Sequence, residues 1–135
     1  MTRAPKAAPC PCGGLDYATC CGRFIGGAEV PQTAEQLMRS RYTAYTLRDE
    51  AYLQVTWDPR SRPDTKLVAE DEGVKWIGLE VRQHKQTGDE AIVEFVARYK
   101  IGGRAERLHE VSRFVREDGR WFYVDGSFPE SGKTK

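Results

Sequence analysis

The apolar positions along this chain change period once. Leu37, Met38, Ala44 and Tyr45 recur at helical spacing, with Tyr42 near the edge of the stripe. Thr33 and Gln36 stand where a capping box opens such a helix, so the pattern predicts a helix over 34–47. Asp49 is placed to cap a second short helix through Glu50–Thr56, which Pro59 ends soon after Trp57-Asp58. Pro63-Asp64 marks a third start, with Gly73 as its stop. Beyond Gly73 the period becomes two. Ile77, Leu79 and Val81 alternate with Trp76, Gly78, Glu80 and Arg82. Ala91, Val93, Phe95, Ala97 and Tyr99 form a second alternating run. Leu108, Glu110, Ser112 and Phe114 alternate with His109, Val111, Arg113 and Val115, and Arg120–Asp125 closes the series. Thr87-Gly88-Asp89, Gly102-Gly103 and Glu117-Asp118-Gly119 supply the turns. Helices followed by a four-run meander predict an α+β domain, its helices covering one face of a curved antiparallel sheet.

The remaining signal is chemical and precedes the first helix. Four cysteines lie within twelve residues, as Cys10-x-Cys12 and Cys20-Cys21, and the sequence has no others. Thiols gathered over so short a stretch can converge on one tetrahedral ion, and zinc is the usual occupant of an all-cysteine set. With all four positions filled by sulfur, the ion would be structural. The alternatives are a redox thiol pair or a vicinal disulfide at Cys20-Cys21. Gly13-Gly14 after the first pair permits the turn that brings amides toward the sulfurs. The expected organisation is therefore a flexible tail over 1–9, a cysteine unit and connector over 10–30, the α+β domain over 31–128, and a second tail over 129–135.

Composition narrows the classes. The chain has 135 residues, 39% hydrophobic and 30% charged, with a formal net charge of +1. This balance suits one globular domain and gives no global attraction to nucleic acid or acidic membranes. No apolar run approaches the ~20 residues of a membrane span. Met1–Pro5 has no apolar h-region, so the expected location is the cytoplasm, where thiolate–metal bonding is favoured over disulfides.

The residues also carry two resemblances. Cys10-Pro11-Cys12-Gly13, with Tyr17 before Cys20-Cys21, resembles the SEC-C motif, a small zinc-binding unit best known at the C-terminus of the SecA translocation ATPase. This chain has Cys21 where the SecA version has His, and its central spacer is one residue shorter. Leu37-Met38-Arg39-Ser40-Arg41-Tyr42, Trp76-Ile77-Gly78-Leu79, Phe95-Val96-Ala97-Arg98-Tyr99, His109-Glu110-x-Ser112-Arg113-Phe114 and Trp121-x-Tyr123-x-Asp125-Gly126 resemble the YchJ family of uncharacterised bacterial proteins. That resemblance implies an NTF2-like cone of about three helices packed on a bent sheet, with the SEC-C-like unit as a zinc knuckle in front. The family usually carries His after the first Trp, where this chain has Asp58.

An NTF2-like cone implies a cavity, and Arg41, Tyr45, Trp57, His109, Glu110, Arg113 and Asp125 are the candidates to line it. His109 and Arg113 share one strand face, Glu110 and Ser112 the other, so His109 and Glu110 cannot form a simple inward dyad. Arg39 and Arg41 lie about 200° apart around a helix and face differently. Arg41 is expected to turn inward and pair with Glu110 or Asp125, or to hold a carboxylate or phosphate ligand. Three functions follow as expectations. The leading one is a non-enzymatic cytoplasmic module whose zinc knuckle docks a protein partner. The second is a small-molecule-binding or weakly catalytic cone using Arg41, His109 and Glu110. The third is a ribosome- or nucleic-acid-associated factor using Arg3, Lys6 and Arg23. A homodimer through the sheet is expected only by analogy with other cones.

Overall fold

The cysteine segment folds as two tight turns laid against the first long helix. A single 3-10 turn, Tyr17–Thr19, leads into the short helix α1, Cys21–Ile25. The computed structural model describes residues 9–68 and 73–129. Helix α2, Ala34–Leu47, begins where the capping residues predict. The Gln36 amide donates to Thr33 Oγ1 at 3.1 Å, while Gln36 Oε1 accepts from the amide of Gln32 rather than of Thr33. Arg48, at φ 58°, turns the chain out of α2. Asp49 then caps α3, Glu50–Val55, by accepting from the Tyr52 amide at 3.1 Å.

The expected helix from Pro63 is absent: residues 62–68 are irregular, and the rest of that stretch up to Gly73 lies largely outside the described residues. The cause is Glu50. Its carboxylate accepts from the amides of Leu67 at 2.9 Å and Val68 at 2.8 Å, so donors that a helix would aim along its own axis point instead at α3. The third helix of this fold is α1, inside the cysteine unit.

Four strands follow in a meander, β1 (Lys75–Thr87), β2 (Glu90–Ile101), β3 (Arg104–Glu117) and β4 (Arg120–Ser127), in the order β1-β2-β3-β4 and all antiparallel. Gly102-Gly103 and Asp118-Gly119 have positive φ at both residues, which matches the twist of the strands they join. Register shifts interrupt β1 at Trp76/Gly78 and Val81/Gln83, and the β3–β4 ladder at Arg113/Phe114. Such bulges bend a sheet, and here they curl it around α2. A short parallel bridge between Trp57 and Tyr123 pins the exit of α3 to β4. Leu37, Leu53, Val93 and Phe114 are fully buried between helices and sheet. Among the described residues no helix is long and apolar enough to cross a membrane.

Candidate functional site

Two clusters of polar groups are withdrawn from water, one at the N-terminal unit and one inside the cone. In the first, the sulfurs of Cys10, Cys12, Cys20 and Cys21 all lie within 4.8 Å of one another. The four are unbridged; Cys12 Sγ and Cys20 Sγ are 3.5 Å apart, well beyond the ~2.05 Å of a disulfide. A tetrahedral ion with metal–sulfur bonds of ~2.3 Å would hold its ligands ~3.8 Å apart, so this set fits one metal ion with little movement.

The sequence builds the cluster by leaving room for it. A Cβ on Gly14 would sit 2.7 Å from Cys20 Sγ. The thiols also compete. The Cys12 thiol is lowered to about 5, first by its hydrogen bond from Cys21 and then by the Gly14 amide. Cys20 is pushed up to about 11 by burial and then by the neighbouring Cys12, and Cys21 is pushed up through the bond it makes to Cys12. Cys12 forms a thiolate readily while Cys20 and Cys21 resist. A divalent cation would remove that conflict by balancing them.

The unit is not a separate knob. Cys10, Cys12 and Cys21 are buried and belong to the same core as Leu37, Met38 and Trp121. Arg39 on α2 donates to Cys12 O at 3.0 Å and to Glu35 at 2.9 Å, and Cys10 Sγ lies 3.6 Å from Thr43 Oγ1. Arg39 thus faces the cysteines, and Arg41, two residues on, faces the cone.

The cone encloses a cavity of about 250 Å³. Arg41, Tyr42 and Tyr45 of α2, Trp57, Trp76 of β1, Glu110 and Ser112 of β3 and Tyr123 of β4 line it, together with apolar side chains such as Phe95, Leu108 and Phe114. Arg41 is 5% exposed. Its Nη1 donates to Leu53 O at 3.0 Å and to Thr56 Oγ1 at 2.7 Å. Its guanidinium lies 4.6 Å from the Tyr123 ring centroid and 5.3 Å from that of Trp57. The expected ion pair to Glu110 or Asp125 is not made among the described residues. Two aromatic faces and two oxygens hold the charge instead, a desolvated cation–π arrangement worth ~2 kcal/mol. Burial pushes the guanidinium below its ordinary value, yet an arginine keeps its charge at neutral pH.

Glu110 occupies the opposite wall. Its Oε2 accepts from Ser112 Oγ and from the Tyr123 hydroxyl, each at 2.8 Å. Burial raises its pKa, against the pull of those two bonds and of Arg41. Gly126 makes space for this carboxyl: a Cβ there would lie 2.7 Å from Glu110 Cδ.

Of the seven cavity candidates, Arg41, Tyr45, Trp57 and Glu110 meet in the cavity and three do not. His109 opposes Val96 on the outer face of the sheet, where its Nε2 lies 2.7 Å from Glu94 Oε2. Arg113 and Asp125 pair with each other there through two 2.7 Å bonds and are largely exposed. Strand alternation sends His109 and Arg113 outward. The β3–β4 bulge does the same to Asp125: Arg113 opposes Asp125 but Phe114 opposes Tyr123, so one extra residue of β4 separates the faces. Tyr123, which periodicity alone did not single out, is the side chain that this bulge turns inward.

The chain matches the family described as "YchJ, middle NTF2-like domain" over residues 33–126. A UPF0225 protein of Chromobacterium violaceum is 56% identical over 124 residues, covering 88% of this chain and 92% of that one. A SEC-C motif containing protein from Rhodopseudomonas palustris, solved in solution, superposes with TM-score 0.79 at 34% identity over 90% of this chain and 98% of that one. A crystal structure of a sec-c motif containing protein from Psychrobacter arcticus superposes with TM-score 0.72 at 29% identity, over 87% and 80%. The helices on a curved four-stranded sheet, the cysteine quartet ahead of them and these likenesses agree: the chain belongs to the YchJ (UPF0225) family, an NTF2-like domain with a SEC-C-type cysteine unit.

Proposed function

We propose that this protein is a non-enzymatic binding module whose cone takes up a small organic ligand, while one structural zinc ion holds the cysteine unit closed. The observation that carries the reading is Arg41. A permanent charge sits buried in the wall of a cavity without a carboxylate partner. Desolvating a charge in this way is costly, and a ligand that uses it offsets the cost. Among the described residues the cavity wall holds one carboxyl, Glu110, and no histidine, so the usual acid–base pair is not assembled there.

The donor set supports zinc as the ion. Four sulfurs suit a borderline-soft ion, and a filled shell leaves no position for a substrate. A docking role for the same unit rests on Leu15 alone, which is 94% exposed. Single exposed leucines are ordinary, and the metal side of the unit is packed into the core, so a staple is the better description. A nucleic-acid role draws little from Arg23, which is tied to Glu29 at 3.0 Å, while Arg3 and Lys6 lie outside the described residues.

A fragment screen by amide and indole NMR tests the proposal. Bound fragments should move the Trp57 and Trp76 indole signals, and Leu108→Trp, which fills the cavity, should abolish those shifts while leaving the spectrum folded. Hits that persist unchanged in the filled variant, or a screen with no cavity hit, would refute it.

A further inference from the structure

We infer that the ligand is a small apolar monocarboxylic acid, its carboxylate held by Arg41 and Trp57 and its hydrocarbon body lying against the aromatic wall. This rests on the cavity-binding reading above and narrows it to one chemical class.

Arg41 Nη1 serves Leu53 and Thr56, and the Tyr45 hydroxyl neighbours the same guanidinium, but no carboxylate pairs with it among the described residues. Trp57 Nε1 is buried without a hydrogen-bond partner. Both side chains line the same cavity, 5.3 Å from guanidinium carbon to indole ring centre. An unmet buried donor costs ~1–3 kcal/mol, so an oxygen-bearing anion gains by meeting the Trp57 N–H beside a buried cation that has no carboxylate partner.

The acceptor side excludes other classes. Glu110 Oε2 is already engaged by Ser112 and Tyr123, and Glu110 makes no ion pair with Arg41, so the cation stays open to an outside anion. One guanidinium supplies one positive charge. A carboxylate matches its fork and its charge, whereas a phosphate dianion would bring a second charge and further hydrated oxygens to a wall of Met38, Trp76, Phe95 and Leu108. The volume of about 250 Å³ falls just under the ~300–1,000 Å³ of drug-sized pockets, which selects a compact body. The groups facing Glu110 are Arg41 and Tyr45 from α2 and Tyr123 from β4, while Asp125 acts on it only through its charge, from the outer face of the sheet. Burial keeps the Glu110 proton in place to higher pH, which lowers the repulsion an anionic guest would meet.

Matched probes test the class. Full-length, metal-loaded, 15N-labelled protein is titrated separately with phenylacetate, phenylacetamide, phenethylamine and inorganic phosphate. The readout is the Trp57 indole N–H signal, assigned with Trp57→Phe. Phenylacetate should move it saturably and bind roughly tenfold or more tightly than the amide, since a charged hydrogen-bonded pair is worth ~1.5–3 kcal/mol. The amine and phosphate should leave it in place. An amide or amine that binds as well as the acid, or phosphate that displaces it, overturns the acid class while the cavity reading stands. If no probe moves Trp57 but the fragment screen finds cavity hits, the acid class falls alone; if neither does, both readings fall. The ranking decides the matter on unaltered protein, whether or not Arg41→Gln folds; where it folds, the preference for phenylacetate over its amide should disappear.

Discussion

The cysteine unit and the cone's cavity both take polar groups out of water, and they dispose of them differently. In the unit, four donors drawn from twelve consecutive residues lie close to one another, so a single ion could satisfy all of them. In the cavity, Arg41, Trp57, Glu110 and Tyr123 come from segments far apart in sequence, and their valences do not cancel: Glu110 is engaged by hydroxyls, Arg41 has no carboxylate partner and the Trp57 N–H has no acceptor among the described residues. Self-satisfying polar clusters serve stability. A cluster with matched shape and unmatched hydrogen bonding is kept at a cost to stability, which makes sense where something else completes it.

Breaking the first cluster should have the largest effect. Cys21 is 1% exposed and sits where the unit meets α2. Cys21→Ser should lose stoichiometric metal by elemental analysis and destabilise the whole domain, by ~3 kcal/mol or about 10 °C in Tm for a chain of this size. Because the unit shares the core of the cone, the loss should appear in one cooperative transition. A variant that sheds its metal yet melts at the parental temperature would show that the unit is an appendage that adds nothing to the stability of the cone.

Gly126 gives the next effect and acts on the second cluster. Gly126→Ala presses a methyl group onto the Glu110 carboxyl and should cost ~1–3 kcal/mol by overpacking. Shortening the partner, as Glu110→Ser, should recover much of that loss in the double variant, a coupling that a chemical-denaturation cycle measures. Additive losses would mean that the clash is absorbed elsewhere.

Glu110→Gln sharpens the comparison through pH. The folded pKa of Glu110 lies above its ordinary value of 4.5. Between those two values the folded state holds more protons than the unfolded one, so this residue makes stability fall as pH rises. The contribution is fully present below about pH 4.5 and is lost as pH climbs through the folded pKa. The glutamine variant cannot ionise, so its stability relative to the parent should increase over that window, by at most ~1.4 kcal/mol per pH unit. A flat difference across the window would mean that Glu110 is not the strained carboxyl it is taken to be.

How far the two regions were legible follows from the same contrast. The cysteines announce themselves because their partners are local. Thr33 and Asp49 gave the helix starts, and Gly102-Gly103 and Asp118-Gly119 gave the hairpins, for the same reason. The false helix at Pro63 came from a local signal overruled at a distance, when Glu50 captured the amides of Leu67 and Val68. The cavity needed register. Glu110 shares a face with Leu108 and Phe114, a usable hint that it turns inward, but His109 keeps company with Val111 and Val115, an equally apolar face. Only pairing with Phe95, whose strand packs under α2, separates the two. Asp125 and Tyr123 are two apart and look equivalent until the bulge after Arg113 places them on opposite sides.

The smallest effect belongs to the outer face of the sheet. Arg113 and Asp125 make a two-bonded ion pair, each bond 2.7 Å, yet both side chains are more than half exposed. An exposed pair is worth ~0–1 kcal/mol and is screened by salt. Arg113→Ala should therefore change Tm by no more than a few degrees, less at high salt, and should leave the phenylacetate titration of the Trp57 indole unchanged. Arg41 lacks the carboxylate partner that Arg113 has and yet is expected to control that titration entirely. If Arg113→Ala weakened phenylacetate as strongly as a change at Arg41, binding would follow the general field of the protein, and a buried, partly unmatched guanidinium would no longer be what selects the guest.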